Sequence, residues 1–448
     1  MTLRLSDLSA CFEGVIPSVI ATAAADGMPN ISYLSHVVRV DDEHVALSNQ
    51  FFAKTAANIR ANPHVTLILV DCFTGDQYLL EIGFVRSVDS GPLFDRIALQ
   101  LKASSAQVGM EEVMRLRSAD IFRVRGIELV PSPVDSPPIR VARKSVDLPA
   151  LARAVRSIEE QGDAEGIIDT LLRSIELDLG YRNALVLIRD NHRDCLITTA
   201  SIGYPRSGLG SEVGQDEGLI GTASSSRRTI KVSDMSRVRR FGEAIGTDLE
   251  GAENITRIVP LPELPTAMSQ IAVPMIAHGE LIGVLFVESP DRMAFRDEDE
   301  AALEILASQA ASALGTSERD LSIVPGHAAP PVLNAKSGQG IRVAHHALDD
   351  SIFVDDAYIV KGIAGALLRL MLEWHLNEGR SEFSNRELRL ALATRMPEIK
   401  DNLETRLLLL RRRLEEKKAP IRIIRIGRGR LRLEASGIPA FVEARSRL

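Results

Sequence analysis

Arginine is concentrated near the end of this chain, in a pattern suited to phosphate. Arg411, Arg412 and Arg413 are consecutive within a leucine-rich segment. Further arginines alternate with other residues shortly after it: Arg422, Arg425, Arg428, Arg430 and Arg432. A guanidinium group can pair through two N–H bonds with a phosphate or with guanine. Residues 380–432 contain sixteen Lys and Arg but seven Asp and Glu, whereas the whole chain has a net charge of −7. These residue types predict a basic region that contacts a polyanion.

Helical periodicity predicts how the consecutive arginines are presented. Leucines spaced by four, three and four residues give their segment one apolar face: Leu403, Leu407, Leu410 and Leu414. Such a stripe is expected to face a core. On a helical wheel Thr405, Leu408 and Arg412 fall on the opposite face, with Arg411 and Arg413 beside them.

Two more helices and a hairpin are predicted around this segment. An earlier helix has an apolar face and ends near Gly379: Ile363, Leu367, Leu370, Met371 and Trp374. A second begins with a capping box of Ser384 and Glu387. After the leucine-rich helix, "IRIIRIGRGRLRLE" predicts two short basic strands joined around Gly427 and Gly429.

Three helices followed by a basic hairpin resemble the winged-helix DNA-binding domains of the response-regulator class, over about residues 350–436. The resemblance implies that the third helix enters the major groove and that the hairpin, or wing, touches the DNA backbone or the minor groove. It implies these DNA-binding residues: Arg406, Arg411, Arg412 and Arg413 on the helix, and Arg425, Arg428 and Arg430 on the wing. In that class an aromatic residue usually follows the second glycine of the wing, whereas this chain has Arg430 there. Two alternatives stay open, a charged dimerisation helix and an RNA-binding hairpin.

Proline and glycine divide the chain into three predicted domains. "LVPSPVDSPPIRV" (129–141) and "VPGHAAPPVLNAKSGQG" (324–340) are typical of linkers. They separate residues 1–135, 145–318 and 350–448. The expected fold class is multidomain α+β, and the family resemblances of the three domains imply an antiparallel split barrel first, an α/β/α sandwich second and a winged helix last.

The first domain has short β-rich runs punctuated by turns, which is typical of a small antiparallel barrel. "ADGMPNISYLS", "HVALSNQFFAKTAANIRANPHVTLILVD" and "ADIFRVRGIELVP" resemble the pyridoxamine-phosphate-oxidase-like split barrel over most of residues 10–132. Members of that family are usually dimers that hold FMN, or sometimes heme, between subunits. The resemblance implies that Ser48, Lys54, Thr55 and Asn58 meet the FMN phosphate. A capping role with a solvated lysine is the alternative, and His36 is a lesser candidate as a heme ligand.

The second domain begins with predicted helices, continues with strands and ends in a helix with an acidic first turn. "EGLIGTASSSRRTIKVSDMS", "IAVPMIAHGELIGVLFVES" and "AFRDEDEAALEILASQAASAL" resemble a GAF domain in order and spacing. GAF domains bind small molecules or mediate dimers. The resemblance places a pocket within residues 203–270, with Asp216, Arg237 and Gln270 as candidate lining residues. A GAF domain that serves only as a dimer spacer is the alternative.

Composition excludes several classes of protein. No segment approaches the ~20 apolar residues that span a bilayer, and the N-terminal residues lack the apolar run of a signal peptide. Cys11, Cys72 and Cys195 are too few and too scattered for a disulfide framework, which favours buried thiols in the cytoplasm. His192 and Cys195 supply only half of a metal site, so no metal is expected.

These observations together predict a one-component, cytoplasmic transcriptional regulator that acts as a homodimer. A small molecule, or a bound cofactor such as FMN, is sensed in the first two domains, and double-stranded DNA is bound by the third. The alternative is an FMN-dependent oxidoreductase of the split-barrel family with regulatory appendages. No catalytic constellation can be identified in the sequence, so regulation is preferred.

Overall fold

A computed structural model describes residues 3–34, 36–49, 53–106, 115–130, 145–235, 258–320, 340–395 and 402–442. Most of both predicted linkers lies outside these residues, as does Arg237. The described residues form four sheets. The first sheet belongs to the first domain, the second to the central domain, and the last two to the C-terminal domain.

The first domain is a curled antiparallel sheet of seven strands. A 3-10 helix (Leu5–Phe12) precedes them. The elements are β1 (Ser18–Ala23), β2 (Pro29–Leu34), β3 (Val37–Arg39), β4 (His44–Asn49), α1 (Ala53–Ala61), β5 (His64–Val70), β6 (Gln77–Val88), α2 (Pro92–Ala106) and β7 (Ser118–Val130). The strand order is β2-β1-β5-β6-β7-β4-β3. Only two residues separate β2 from β3, yet they lie at opposite edges of the sheet, so the sheet must curl back on itself. The predicted small antiparallel barrel is confirmed.

The core of this barrel follows the alternation of its strands. β1 buries every second side chain, and Ile20 packs with Leu34, Leu67, Leu80 and Phe122 inside the curl. Alternation of this kind is expected when one face of a sheet lies on a core.

The central domain is a three-layer sandwich. Its elements are α3 (Leu148–Glu159), α4 (Ala164–Leu177), β8 (Asn183–Asp190), β9 (Cys195–Ile202), β10 (Glu212–Gly214), α5 (Gly218–Ser226), β11 (Ile230–Val232), β12 (Ser269–Ala277), β13 (Glu280–Ser289) and α6 (Asp297–Asp320). The strand order is β10-β9-β8-β13-β12-β11. Helices α3, α4 and α6 share one buried cluster with one face of the sheet, and α5 packs on the other face. The predicted hairpin at His278–Gly279 is confirmed, and both turn residues have positive φ.

The C-terminal domain places three helices between two small sheets. Its elements are β14 (Gly340–His346), β15 (Ser351–Val354), β16 (Ala357–Val360), α7 (Gly362–Glu378), β17 (Glu382–Ser384), α8 (Asn385–Arg395), α9 (Leu403–Glu416), β18 (Ile421–Gly427), β19 (Arg430–Ala435) and β20 (Ile438–Val442). The strand orders are β16-β15-β14-β20 and β17-β19-β18. The three predicted helices and the basic hairpin β18–β19 are confirmed as elements. The four-stranded sheet was not predicted.

Local signals explain where the helices of this domain begin and end. Gly379 ends α7 with a φ of +67°, a left-handed conformation that favours glycine. The capping box before α8 is confirmed: the Glu387 amide donates to Ser384 Oγ at 3.2 Å, and the Ser384 amide donates to Glu387 Oε2 at 3.0 Å. Asn402 caps α9 by accepting a hydrogen bond from the Thr405 amide at 3.3 Å.

Candidate functional site

Helix α9, the predicted DNA-reading helix, is buried on two sides. The leucine stripe packs into the C-terminal core as predicted, with all four members buried: Leu403, Leu407, Leu410 and Leu414. The opposite face lies against the central domain. Leu408 belongs to the buried cluster of helices α3, α4 and α6, and Leu409 packs with Ile197 and Leu209. We call this contact of α9 with the central domain the docking interface.

Two arginines of the docking interface pair with carboxylates on α4. Arg411 forms an ion pair with Glu165. The Arg412 guanidinium donates to Asp169 Oδ1 at 2.5 Å and to the Thr199 carbonyl oxygen at 3.1 Å. Both arginine side chains are only 16% exposed. Their carboxylate partners are more open, at 36% for Glu165 and 46% for Asp169, so salt can still reach one side of each pair.

The other two helix arginines are more deeply buried. Arg406 is 1% exposed and donates to the Arg189 carbonyl oxygen in the central domain. Arg413 is 2% exposed; its Nε donates to the Ile359 carbonyl oxygen at 2.8 Å and its Nη1 to Glu416 at 2.7 Å. Arg413 therefore bonds mainly within its own domain, whereas Arg406 crosses the docking interface.

The pKa of Asp190, a carboxylate on β8, reflects the charges of nearby arginines. Burial alone would raise the pKa of Asp190, but the charges of Arg406 and Arg193 outweigh it and hold the pKa below its usual value. Arg193 donates to Asp190 Oδ2 at 3.1 Å and to Glu212 at 2.6 Å, and Lys361 of the C-terminal domain pairs with the same Glu212 at 2.8 Å. Charged groups of both domains therefore form one network at the docking interface.

The hairpin is less enclosed than α9. Arg425 reaches the central domain, where it pairs with Asp163. Arg430 and Arg432 pair with Glu382 of their own domain, at 3.0 and 2.8 Å, and remain more than 40% exposed. Arg428 is exposed at the turn. Of the seven predicted DNA-binding arginines, Arg428 and Arg430 are the two whose side chains face solvent.

Sequence reasoning missed the acidic partners of these arginines. Asp163, Glu165 and Asp169 lie at the start of α4, more than 240 residues before the arginines they meet. A local signal existed, since Glu165 and Asp169 are four residues apart and therefore share one helix face. Nothing in the sequence paired that face with α9.

The predicted FMN-contacting residues do not form an open cradle in the described chain. Thr55 bonds to Asn30 and to Ser32, at 3.0 and 2.9 Å, and Asn58 donates to Thr22 at 3.1 Å. Ser48 and Thr55 line a cavity of only about 10 Å³. A phosphate does not fit there, and the hydroxyl and amide groups are already engaged. Of the four predicted residues, only Lys54 is exposed. FMN contact stays a prediction.

His36, the lesser heme candidate, lies beside Gly14 at the start of the barrel. Burial lowers the pKa of His36 to about 4. Its Nδ1 atom is buried and finds no hydrogen-bond partner among the residues that the structure describes. A neutral imidazole is therefore favoured at this position, and heme ligation stays a prediction.

The candidate pocket residues of the central domain are held by the protein itself. Gln270 donates to Glu288 at 2.8 Å, and Tyr204 donates to the same buried carboxylate at 2.8 Å. Asp216 accepts a hydrogen bond from Ser225 at 2.6 Å on an exposed turn. Burial raises the pKa of Glu288, with its hydrogen bonds partly opposing the shift. Gln270 thus belongs to a buried polar cluster that sequence reasoning did not predict.

The described ranges contain no cluster of three or more His, Cys, Asp or Glu side chains suited to a metal ion. The three cysteines are free thiols, and Cys11 is buried. Among the helices that the structure covers, none is both long enough and apolar enough to cross a membrane.

Comparisons with known proteins identify the first two domains. Residues 7–128 match the pyridoxamine 5'-phosphate oxidase family, and residues 163–314 match the GAF domain family. The chain therefore contains a split barrel of the pyridoxamine-phosphate-oxidase-like type followed by a GAF domain. No curated protein is significantly similar to the chain.

Solved structures resemble single domains of this chain at low identity. The GAF domain of an Acinetobacter phosphoenolpyruvate-protein phosphotransferase is 18% identical over 41% of this chain and 99% of that one, with a TM-score of 0.32. A free methionine-R-sulfoxide reductase from Neisseria meningitidis, in complex with its substrate, is 18% identical over 38% and 89%, with a TM-score of 0.30. An FMN-binding protein from Syntrophomonas wolfei is 15% identical over 29% and 87%, with a TM-score of 0.24.

Proposed function

We propose that this protein is a DNA-binding transcriptional regulator controlled by a small molecule, and that the described arrangement is its closed state. In the closed state α9 is docked on the GAF domain and cannot enter a major groove. The observation that carries this proposal is that Arg411 and Arg412 pair with Glu165 and Asp169 of the GAF domain. Two of the arginines predicted to contact DNA are thus occupied by carboxylates of the same chain.

Carboxylates and DNA phosphates compete for the same guanidinium groups. Both are anions that accept two N–H bonds from arginine, so α9 cannot satisfy Glu165, Asp169 and DNA at once. The buried leucines raise the cost of opening, because undocking returns Leu408 and Leu409 to water. The apparent affinity for DNA is then reduced by the fraction of molecules that are open.

Regulation follows from this competition as a population shift. A ligand that binds the split barrel or the GAF domain more tightly in the open state increases the open fraction. Each factor of ten in that fraction corresponds to about 1.4 kcal/mol, which is within the usual range of allosteric coupling. A homodimer, the expected assembly, would present two hairpins and two helices to paired half-sites.

The test reverses the charge of the GAF side of the docking interface and leaves α9 unchanged. The variant is Glu165→Lys combined with Asp169→Lys. We expect it to bind duplex DNA from upstream of the protein's own gene at least tenfold more tightly than the unaltered protein. Fluorescence anisotropy at fixed salt measures the affinity.

A matched control separates undocking from the added positive charge. Glu159→Lys combined with Glu176→Lys makes the same charge change at two exposed positions of the GAF helices. We expect its affinity to stay within about threefold of the unaltered protein, because non-specific attraction to phosphate is weak for so few charges. Adding Arg428→Ala and Arg430→Ala to the undocked variant should remove most of its gain. Equal DNA affinity in the undocked variant and its control would refute the closed-state proposal.

A further inference from the structure

A cleft of about 690 Å³ lies between the split barrel and the GAF domain. The barrel contributes its 3-10 helix, β3 and α2, and the GAF domain contributes the end of α5, β11, β12 and α6. This volume is within the range of small-molecule sites, which are commonly clefts between domains. The cleft is separate from the predicted FMN-contacting residues and from the docking interface.

Four arginines line this cleft, and three of them lack a carboxylate partner in the described part of the chain. Arg39 is 3.6 Å from Asp42. Arg96 donates to the Arg39 carbonyl oxygen at 3.1 Å, Arg227 to that of Gly279 at 2.6 Å, and Arg228 to that of Pro92 at 3.0 Å. Main-chain carbonyls thus orient Arg96, Arg227 and Arg228 without neutralising their charges. Other N–H groups of each guanidinium remain available to a ligand.

Glu13 and Glu300, two acidic residues of the cleft, pair with a lysine rather than with these arginines. Lys231 lies 3.2 Å from Glu13 and 3.1 Å from Glu300, and all three groups are largely enclosed at the domain junction. Thr229 donates to Glu304 at 2.5 Å. The four carboxylates of the lining, with Asp297 at 3.9 Å from Lys231, therefore lie mainly around Lys231 and Thr229, although Glu300 also acts electrostatically on Arg96.

The charges of Arg96 and Arg228 act on each other. Burial and the charge of Arg228 lower the pKa of Arg96, while Glu300 partly opposes the shift. Like charges that share a partly enclosed space repel each other, and an anion between them removes that repulsion.

Apolar side chains complete the lining. Phe12 and Val38 contribute from the barrel, together with Leu99 of α2, and Pro274 and Ile276 contribute from β12. Seven of the twenty lining residues are apolar, so the wall combines charged groups with an apolar surface, as a site for an organic anion requires.

We propose that this cleft binds one small organic anion per chain. The anionic group, a phosphate, sulfonate or carboxylate, lies against Arg96, Arg227 and Arg228, and the apolar body of the ligand lies against Phe12 and Leu99. The proposal concerns binding alone and does not depend on whether the C-terminal domain contacts DNA.

The test uses 8-anilinonaphthalene-1-sulfonate, a probe that combines an anion with an aromatic body. Isothermal titration calorimetry of the full chain should give one binding site per chain. We expect Arg96→Gln combined with Arg228→Gln to weaken binding at least tenfold. Arg153→Gln combined with Arg156→Gln, at exposed positions of α3, makes the same charge change and should leave binding unaltered.

A steric variant guards against loss of fold in the arginine variant. Ser308 is exposed on α6 and lines the cleft, so Ser308→Trp fills the space without changing a charge. It should weaken probe binding at least tenfold and keep the circular dichroism spectrum of the unaltered protein. Inorganic pyrophosphate should compete with the probe. Probe binding that is equal in the Ser308→Trp variant and the unaltered chain, or absent from the unaltered chain, would overturn the proposal.

Discussion

The GAF domain meets its two neighbours through interfaces of opposite character. At the docking interface the ion pairs of α9 join arginines to carboxylates of α4, and Leu408 and Leu409 exclude water. The adjoining gap between α4, α9 and the hairpin is only about 40 Å³. At the split-barrel interface a cleft of about 690 Å³ remains, with arginines held by main-chain oxygens. The difference indicates that the chain's own groups close the docking interface, whereas the split-barrel interface keeps space for the proposed ligand beside the ion pair of Lys231 with Glu13.

The largest effect should come from breaking the apolar part of the docking interface. Leu408→Asp removes a buried leucine and places a carboxylate beside Glu165 and Asp169. We expect a cost of about 3 to 5 kcal/mol to docking, from the lost burial, the cavity and the buried charge. The chain has a single tryptophan, Trp374, within the C-terminal domain, so its fluorescence reports unfolding of that domain in urea.

In the Leu408→Asp variant the urea midpoint of the Trp374 signal should fall, because the domain loses the support of the GAF domain. Leu177→Asp, at an exposed position of α4, is the control and should leave the midpoint unchanged. An unchanged midpoint in both variants would mean that docking contributes no stability, and the contrast between the interfaces would be lost.

The pH dependence of the barrel's stability tests the other side of the comparison between the two interfaces. His36 lies beside Gly14 and directly precedes β3, whose residues Val38 and Arg39 line the cleft. Burial lowers its pKa from 6.5 to about 4, so the folded barrel favours the neutral imidazole. The stabilisation is present above pH 6.5 and is lost as the pH falls towards 4, up to about 3 kcal/mol in total.

Hydrogen exchange of peptides from β3 and β4, followed by mass spectrometry between pH 7 and pH 4, measures this loss after correction for intrinsic exchange rates. His36→Gln should abolish the pH-dependent loss of protection. His44→Gln, on the neighbouring strand, is the control and should retain it. A loss of the same size in the His36→Gln variant would assign the pH dependence to other groups.

Local sequence patterns were sufficient for most elements but not for the interfaces between domains. The capping box of Ser384 and Glu387 and the hairpin at His278–Gly279 depend on neighbours within a few residues, and both were predicted. The strands β15 and β16 were missed, although they flank Asp355 and Asp356, two turn residues with positive φ. The parallel pairing of β14 with β20 joins residues almost a hundred positions apart, which no local pattern indicates.

The candidate site was predicted only in part, because one side of α9 is covered by a different domain. Leucine spacing correctly predicted which side of α9 faces the C-terminal core. It could not predict what covers the other side, because a helix face with Leu408 and Arg412 suits either a DNA groove or an acidic protein surface. Deciding between them required the position of α4, which is set by packing in another domain.

The smallest effect we predict concerns the value of one ion pair at the docking interface. A double-mutant cycle of Arg412→Ala and Asp169→Ala should give a coupling free energy of about 1 kcal/mol in the Trp374 unfolding signal. The Arg412 side chain is largely enclosed, and it also donates to the Thr199 carbonyl, so its orientation is fixed before Asp169 is added.

Arg369 and Glu373, paired at 2.7 Å along α7, supply the control cycle, which should give about 0.3 to 0.5 kcal/mol. High salt should reduce the two couplings to a similar degree, because the pairs are about equally exposed: 16% and 46% for Arg412 and Asp169, 38% and 24% for Arg369 and Glu373. Equal couplings would mean that the Thr199 contact adds nothing to the pair of Arg412 with Asp169, and the contrast of the docking interface with the open cleft would then rest on Leu408 and Leu409 alone.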